Sequence, residues 1–206
     1  MPAKNKNLHG NVPDKSSVAL LLIDVINDLE FEGNQMLLRH AGLMAARIAS
    51  LKLRAKKAHV PVIYVNDNFG KWQSDFKKQV DHCLKDGVCG RVLAEKLRPD
   101  PDDYFILKPK HSGFFSTTLD TLLSYLEAKT LIVTGIAGDR CVLFTANDAF
   151  LRDYQIFVPS DCVISNSPQQ NTQALKLMER VLKADIRPSS KLKFASLKKE
   201  RRGNRN

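Results

Sequence analysis

The feature that most restricts the fold is an unbroken run of six apolar residues, Val18-Ala19-Leu20-Leu21-Leu22-Ile23, ended by Asp24. Successive side chains of a strand point to opposite faces, so a strand with one wet face alternates apolar and polar residues. A continuous run needs apolar cover on both faces, as in the centre of a parallel sheet. Shorter runs of the same kind recur at 62–65, 104–107, 131–134 and 155–158. Between them lie helical patterns. The clearest is 34–57, where Leu37, Leu38, Ala41, Met44, Ala45, Ile48 and Leu51 form one stripe. Further helices are expected over 91–97, 116–127, 142–152 and 168–183, and a weak sixth strand over 184–186. Strands that alternate with helices predict an α/β fold: a three-layer, doubly wound, Rossmann-like parallel sheet of six strands, order 3-2-1-4-5-6, with helices on both faces. In that order strands one and four are neighbours at the topological switch point. Ligands bind there, beyond the C-terminal strand ends. Asp24 ends strand one, and Cys141 lies just beyond strand four.

The length of 206 residues suits one domain with a sizeable core. The formal charge of +10 is concentrated at the two ends. Residues 191–206 hold seven Lys/Arg against one Glu, and 1–15 hold three Lys against one Asp, which leaves +2 for 16–190. The expected organisation is a flexible basic N-terminal segment at 1–15, a folded domain at 16–190, and a basic, mobile C-terminal tail at 191–206. The tail is read as solvated, and no nucleic-acid partner is expected. No apolar run approaches the ~18 residues that suggest a membrane span, so no membrane partner is expected either. The polar N-terminus and four cysteines without CxxC or zinc spacing predict a reduced, cytoplasmic setting.

The stretch Gly135-Ile136-Ala137-Gly138-Asp139-Arg140-Cys141 joins strand four to a helix and places a cysteine at the helix N-terminus. The positive end of the helix dipole favours a thiolate there, and free backbone N–H groups can bind an oxyanion. Other strand ends are polar too: Asp24-Val25-Ile26-Asn27-Asp28 follows strand one, and Lys108-Pro109-Lys110-His111-Ser112-Gly113-Phe114 follows strand three.

Together the DxxND, KxxxSGFxxTxL and GIAGDRCVxxTAxDA segments resemble the isochorismatase-like cysteine hydrolases, in order and spacing, over 17–190. That family includes nicotinamidases, ureidoacrylate and carbamoyl amidohydrolases, and isochorismatase itself. The resemblance implies a catalytic triad of Asp24, Lys108 and Cys141, with Lys108 preferred to Lys110 because it stands four residues before Ser112. It implies a cis peptide at Ile136–Ala137 and an oxyanion hole made by the Ala137 and Cys141 N–H groups. It also implies hydrolysis of a small-molecule amide, ureido or carbamoyl C–N bond through a thioester, without a cofactor, in a homodimer or homotetramer. Two alternatives remain: a non-catalytic binding member, or vinyl-ether hydrolysis using the aspartate.

The pattern departs from metal-binding nicotinamidases, which carry Asp-x-His after strand two. Asp67 matches, but Phe69 stands where the histidine would be, so no metal is expected. Asn27, Asp67, Asn68, Phe69, Trp72 and Phe114 are candidate substrate-binding residues. Phe69 and Trp72 read equally well as packing anchors. His111 and Phe114 either touch substrate or shape their loop. Leu29 replaces an aromatic residue common after the first acidic motif, which suggests a more open pocket wall. Asp161 is expected to cap the turn after strand five.

Overall fold

The computed structural model describes residues 15–70 and 75–199. The sheet is built from β1 (Val18–Ile23), β2 (Val62–Asp67), β3 (Tyr104–Lys108), β4 (Thr130–Ile136), β5 (Gln155–Phe157) and β6 (Val163–Ile164). Its order is β3-β2-β1-β4-β5, with β6 also bonded to β4, and every one of these pairings is parallel. The helices are α1 (Gln35–Lys57), α2 (Phe76–Lys85), α3 (Arg91–Lys96), α4 (Leu119–Tyr125), α5 (Leu143–Phe150), α6 (Pro168–Val181) and α7 (Phe194–Lys199). Among the described residues, no helix is long and apolar enough to cross a membrane.

The apolar run of β1 is buried at every position, as its composition requires. Val18, Leu20 and Leu22 face a core filled by α1, α2, α3 and α7, while Ala19, Leu21 and Ile23 face a second core filled by α4, α5 and α6. Each fully buried Leu, Ile or Val is worth about 1.5–3 kcal/mol relative to exposure. The three-layer doubly wound fold expected from the sequence is therefore present.

The sixth strand lies elsewhere than expected. β5 covers β4 only at Thr130, Leu131 and Ile132, which leaves the far half of that edge unpaired. Buried backbone groups need partners, and β6 supplies them opposite Gly135 and Ile136. The expected strand at 184–186 does run beside β5, but it contributes a single bridge, Asp185 to Phe157.

The boundary at 190 also moves. Leu192, Phe194 and Leu197 are buried in the first core, so 191–199 belongs to the fold and is not a tail. The Arg54 guanidinium donates to the carbonyls of Ser189 and Leu192, and Lys198 Nζ donates to the Ala58 carbonyl at 2.6 Å. Asp161 does not simply cap its own turn. Its carboxylate accepts from Ser189 N at 2.7 Å and Ser189 Oγ at 2.8 Å, which anchors the start of this segment. The basic termini at 1–14 and 200–206 lie outside the described residues, as does Trp72.

At the N-terminal edge of the sheet, Lys52 and Lys56 each reach Asp103 at 2.6 Å, and Tyr64 donates its hydroxyl to the Leu97 carbonyl. Asp100, Asp102 and Asp103 cluster closely enough to suggest a cation site. The two lysines already pair with all three carboxylates.

Candidate active site

Strand register brings the polar strand ends to one level. Ile23 pairs with Val65 on one side and Gly135 on the other, and Asp67 pairs with Lys108. Asp24 follows directly, in a left-handed conformation with φ 50°. Its N–H donates to the Val65 carbonyl, and its Oδ1 accepts from Asp67 N at 2.6 Å. The Asn66 side chain bonds the Ile26 N–H and carbonyl, fixing the turn beyond Asp24. Lys108 is 0 % exposed and Asp24 5 %, so their charges need each other. Lys108 Nζ lies 2.9 Å from Asp24 Oδ2 and 3.5 Å from Asp67 Oδ2.

Cys141 enters from the opposite side of the switch point. Gly135 is the penultimate residue of β4, and its φ of 112° and close approach to Ile23 O exclude any side chain: a Cβ there would stand 2.0 Å from that oxygen. The Ile136–Ala137 peptide is cis, as the resemblance implies. A single π-helical turn, Gly138–Val142, then leads into α5 and carries Cys141. Cys141 Sγ sits 3.5 Å from Lys108 Nζ and 3.6 Å from His111 Nδ1. Asp24, Lys108 and Cys141 are thus in mutual contact.

The KxxxSGF and TAxDA motifs prove to be two halves of one latch. Ser112 Oγ donates to the Asp148 carboxylate, and Gly113 N donates to Thr145 Oγ1 at 3.0 Å. Both acceptors project from α5, so the loop holding His111 is tied to the helix that follows Cys141.

Burial pushes the Cys141 thiol up to about 12; the Asp24 carboxylate adds to the rise and Lys108 opposes it. Burial also raises Asp24 above the usual carboxylate range against the pull of Lys108. For Lys108 burial disfavours the charge, but Asp24, Cys141 and Asp67 together hold it above the ordinary lysine value. Burial and the Asp24 carboxylate thus favour a neutral thiol beside the Asp24–Lys108 pair. The helix-end thiolate expected from the sequence is opposed by burial and by the Asp24 carboxylate, and Lys108 favours it.

Asp24 and Cys141 line a cavity of about 290 Å³, and Lys108, fully buried, does not reach it. Of the candidate substrate-binding residues, Asn27, Asp67 and Phe69 line it, together with Ala137 of the expected oxyanion hole. Asn68 and Phe114 do not. Asn68 is buried, its N–H donating to the Lys108 carbonyl and its Oδ1 accepting from Gly70 N. Phe114 faces the second core, with the Arg152 guanidinium 4.6 Å from its ring centroid. Leu29 is buried in the first core and does not shape the wall; Phe31, two residues on, does. Leu37, His111, Ile136, Asp139, Arg140 and Asn166 complete the lining. Asp139 and Arg140 were visible in the sequence as immediate neighbours of Cys141; Asn166 had no sequence signal. Asp139 Oδ1 and Asn166 Oδ1 are buried without a hydrogen-bond partner among the described residues. Such acceptors are uncommon and mark polar demand in the cavity.

Comparison with known proteins agrees with this architecture. The family model of the isochorismatase domain matches residues 18–185. An uncharacterised isochorismatase family protein, YaaI of Bacillus subtilis (strain 168), is 44 % identical over 172 residues, covering 84 % of this chain and 94 % of that protein. The ureidoacrylate amidohydrolase RutB of Methylobacterium radiotolerans is 28 % identical over 181 residues, covering 76 % of this chain and 70 % of its own length. Among solved structures, N-carbamoylsarcosine amidase from Thermoplasma acidophilum superposes with a TM-score of 0.67 at 26 % identity, covering 86 % of this chain and 99 % of that one. With the domain model spanning the whole sheet from β1 to the bridge beside β5, this chain belongs to the isochorismatase-like cysteine hydrolase family.

Proposed function

We propose that this hydrolase cleaves an amide, ureido or carbamoyl C–N bond of a small molecule through a thioester on Cys141. The observation that carries this is the mutual contact of Asp24, Lys108 and Cys141 at the floor of a small cavity. Relatives named for ureidoacrylate and N-carbamoylsarcosine support the bond class. The cavity volume lies just below the usual range of small-molecule sites, about 300–1,000 Å³, which fits a small substrate.

Asp24 is the base. Its raised pKa makes it a better proton acceptor, and burial favours the neutral form of the thiol it serves. As Sγ attacks the carbonyl carbon, the thiol proton passes to Asp24. Lys108 stabilises the sulfur while it carries negative charge. The Ala137 and Cys141 N–H groups receive the oxyanion; such donors are each worth about 3–4 kcal/mol of barrier. Protonated Asp24 then gives its proton to the departing nitrogen, the C–N bond breaks, and the thioester remains. Water completes the cycle, releasing the acid and the thiol.

The test is a panel of small primary amides, ureido acids and carbamoyl compounds assayed for released ammonia or amine. Mass spectrometry then looks for an acyl adduct on the Cys141 peptide. Turnover that persists undiminished in Cys141→Ala would sink the thioester route.

A further inference from the structure

We propose that Arg140 determines the substrate class: it binds a carboxylate on the same small molecule whose carbonyl Cys141 attacks, so the site selects anionic amides and ureido acids. This deepens the C–N hydrolase reading above and rests on it. Three observations carry it. Arg140 lines the cavity beside Cys141, and among the described residues it is the one arginine or lysine that does so. It is exposed, and its guanidinium forms no ion pair or hydrogen bond among the described residues. Lys108 is committed elsewhere: fully buried, 2.9 Å from Asp24 Oδ2 and 3.5 Å from Asp67 Oδ2, it answers those two carboxylates from behind the cavity. A substrate anion can therefore be met only by Arg140.

The remaining lining residues narrow the ligand. Asp139 Oδ1 and Asn166 Oδ1 are buried acceptors without partners in the same cavity, so they call for N–H donors. Arg140 calls for an acceptor. A molecule that meets both demands carries N–H groups and an anion. The rigid fork of a guanidinium matches a planar carboxylate in bidentate fashion. A dianionic phosphate would set two charges against one free cation, with the Asp67 and Asp139 carboxylates close by, so a monoanion is the better match. Consecutive Cα atoms are about 3.8 Å apart, and the cavity of about 290 Å³ admits one small molecule. The anion and the scissile carbonyl thus belong to one short chain. Arg140 selects its charge, and the other lining residues select its shape.

The first experiment compares iodoacetate with iodoacetamide at Cys141 in the full chain. Both lose iodide to the same sulfur, so the ratio of their rates cancels any change in the thiol and reads the preference for an anion. In the parent, iodoacetate should saturate. In Arg140→Gln the iodoacetate-to-iodoacetamide ratio should fall about 10–10²-fold, the usual range for a hydrogen bond to a charged group. Arg140→Lys should restore part of it, and Arg140→Glu should lower it further. The second experiment measures turnover of succinamate and N-carbamoylglycine against their methyl esters. The parent should favour the acids in kcat/KM, and Arg140→Gln should remove that preference through KM. An iodoacetate-to-iodoacetamide ratio equal in the parent and Arg140→Gln overturns the proposal. So does an equal loss on acids and esters, which would make Arg140 a prop of its turn. Failure of the C–N reading looks different: the parent would then cleave neither acids nor esters at the C–N bond, while the iodoacetate preference and its loss in Arg140→Gln would still mark the anion site.

Discussion

Replacing Asp24 with Asn should make Cys141 more reactive toward an electrophile while stopping turnover. The amide keeps the shape and an oxygen for Asp67 N, but removes the negative charge that lies within hydrogen-bonding reach of Sγ. An anion at about 4 Å, in an effective dielectric of about 20, is worth about 4 kcal/mol, or about three pKa units. The thiol, pushed up to about 12 by burial first and the Asp24 carboxylate second, then falls back by that amount toward the ordinary thiol range. The thiolate fraction at pH 7 rises about 10³-fold, while the less basic sulfur loses about 20-fold in intrinsic nucleophilicity. The net effect is labelling by iodoacetamide about 30–50-fold faster at pH 7. It is read on the Cys141 peptide by mass spectrometry, with buried Cys83 and Cys162 as internal controls. Turnover should fall at least about 10²-fold in the same variant, because the base is gone. If folded Asp24→Asn labels no faster than the parent, the carboxylate is not what holds the sulfur as a thiol, and the resting charge state derived above is wrong.

Other outcomes follow from the same geometry. Lys108→Met leaves the Asp24 carboxylate buried and unpaired, which costs about 3–5 kcal/mol near neutral pH; urea titration should show that penalty shrinking at acid pH, where Asp24 takes a proton. Gly138→Ala puts a Cβ 2.1 Å from Asn171 Oδ1 and 2.7 Å from Val163 Cγ1, so it should cost about 1–3 kcal/mol by overpacking and displace the turn that carries Cys141; an unchanged melting temperature would contradict that tightness. Phe194→Ala should cost about 3–5 kcal/mol if α7 is part of the first core, whereas a dispensable tail would tolerate it. Asp86 and Asp28 hold the His82 imidazole above its usual value, so its stabilising contribution is full below about pH 6.5 and is lost as pH rises through the elevated folded value. His82→Gln should flatten the dependence of Tm on pH across that window.

The parts of this molecule readable from sequence are those where one residue type has one physical solution. The apolar run of β1 could only be a doubly covered strand, and from its neighbours came the sheet order that places Asp24 beside Cys141. What escaped depends on where a turn aims its side chains. Leu29, with φ 56°, sends its own side chain into the core and leaves the cavity wall to Phe31. Phe114 turns inward because its loop is folded by the Ser112 hydroxyl, which accepts from its N–H at 3.1 Å. The C-terminal helix was hidden because Leu192, Phe194 and Leu197 are sparse among lysines, and long basic side chains conceal an apolar face too short to show a period. The state of the sulfur was beyond any pattern. It turns first on burial and then on Lys108 lying 2.9 Å from a carboxylate and 3.5 Å from the thiol, none of which a motif displays.

The latch between the loop at 109–118 and α5 has a consequence for how such a scaffold diversifies. Ser112, Gly113, Thr145 and Asp148 hold the reacting groups from behind, through contacts that no cavity-lining residue makes. The front wall, with Asn27, Phe31, Phe69 and Asn166, comes from separate connections after β1, β2 and β6. Drift in those connections can therefore change which molecule fits without moving the atoms that break its bond. Reaction and selectivity are mechanically uncoupled here, so a laboratory search for new substrates should randomise the front wall and leave the latch alone.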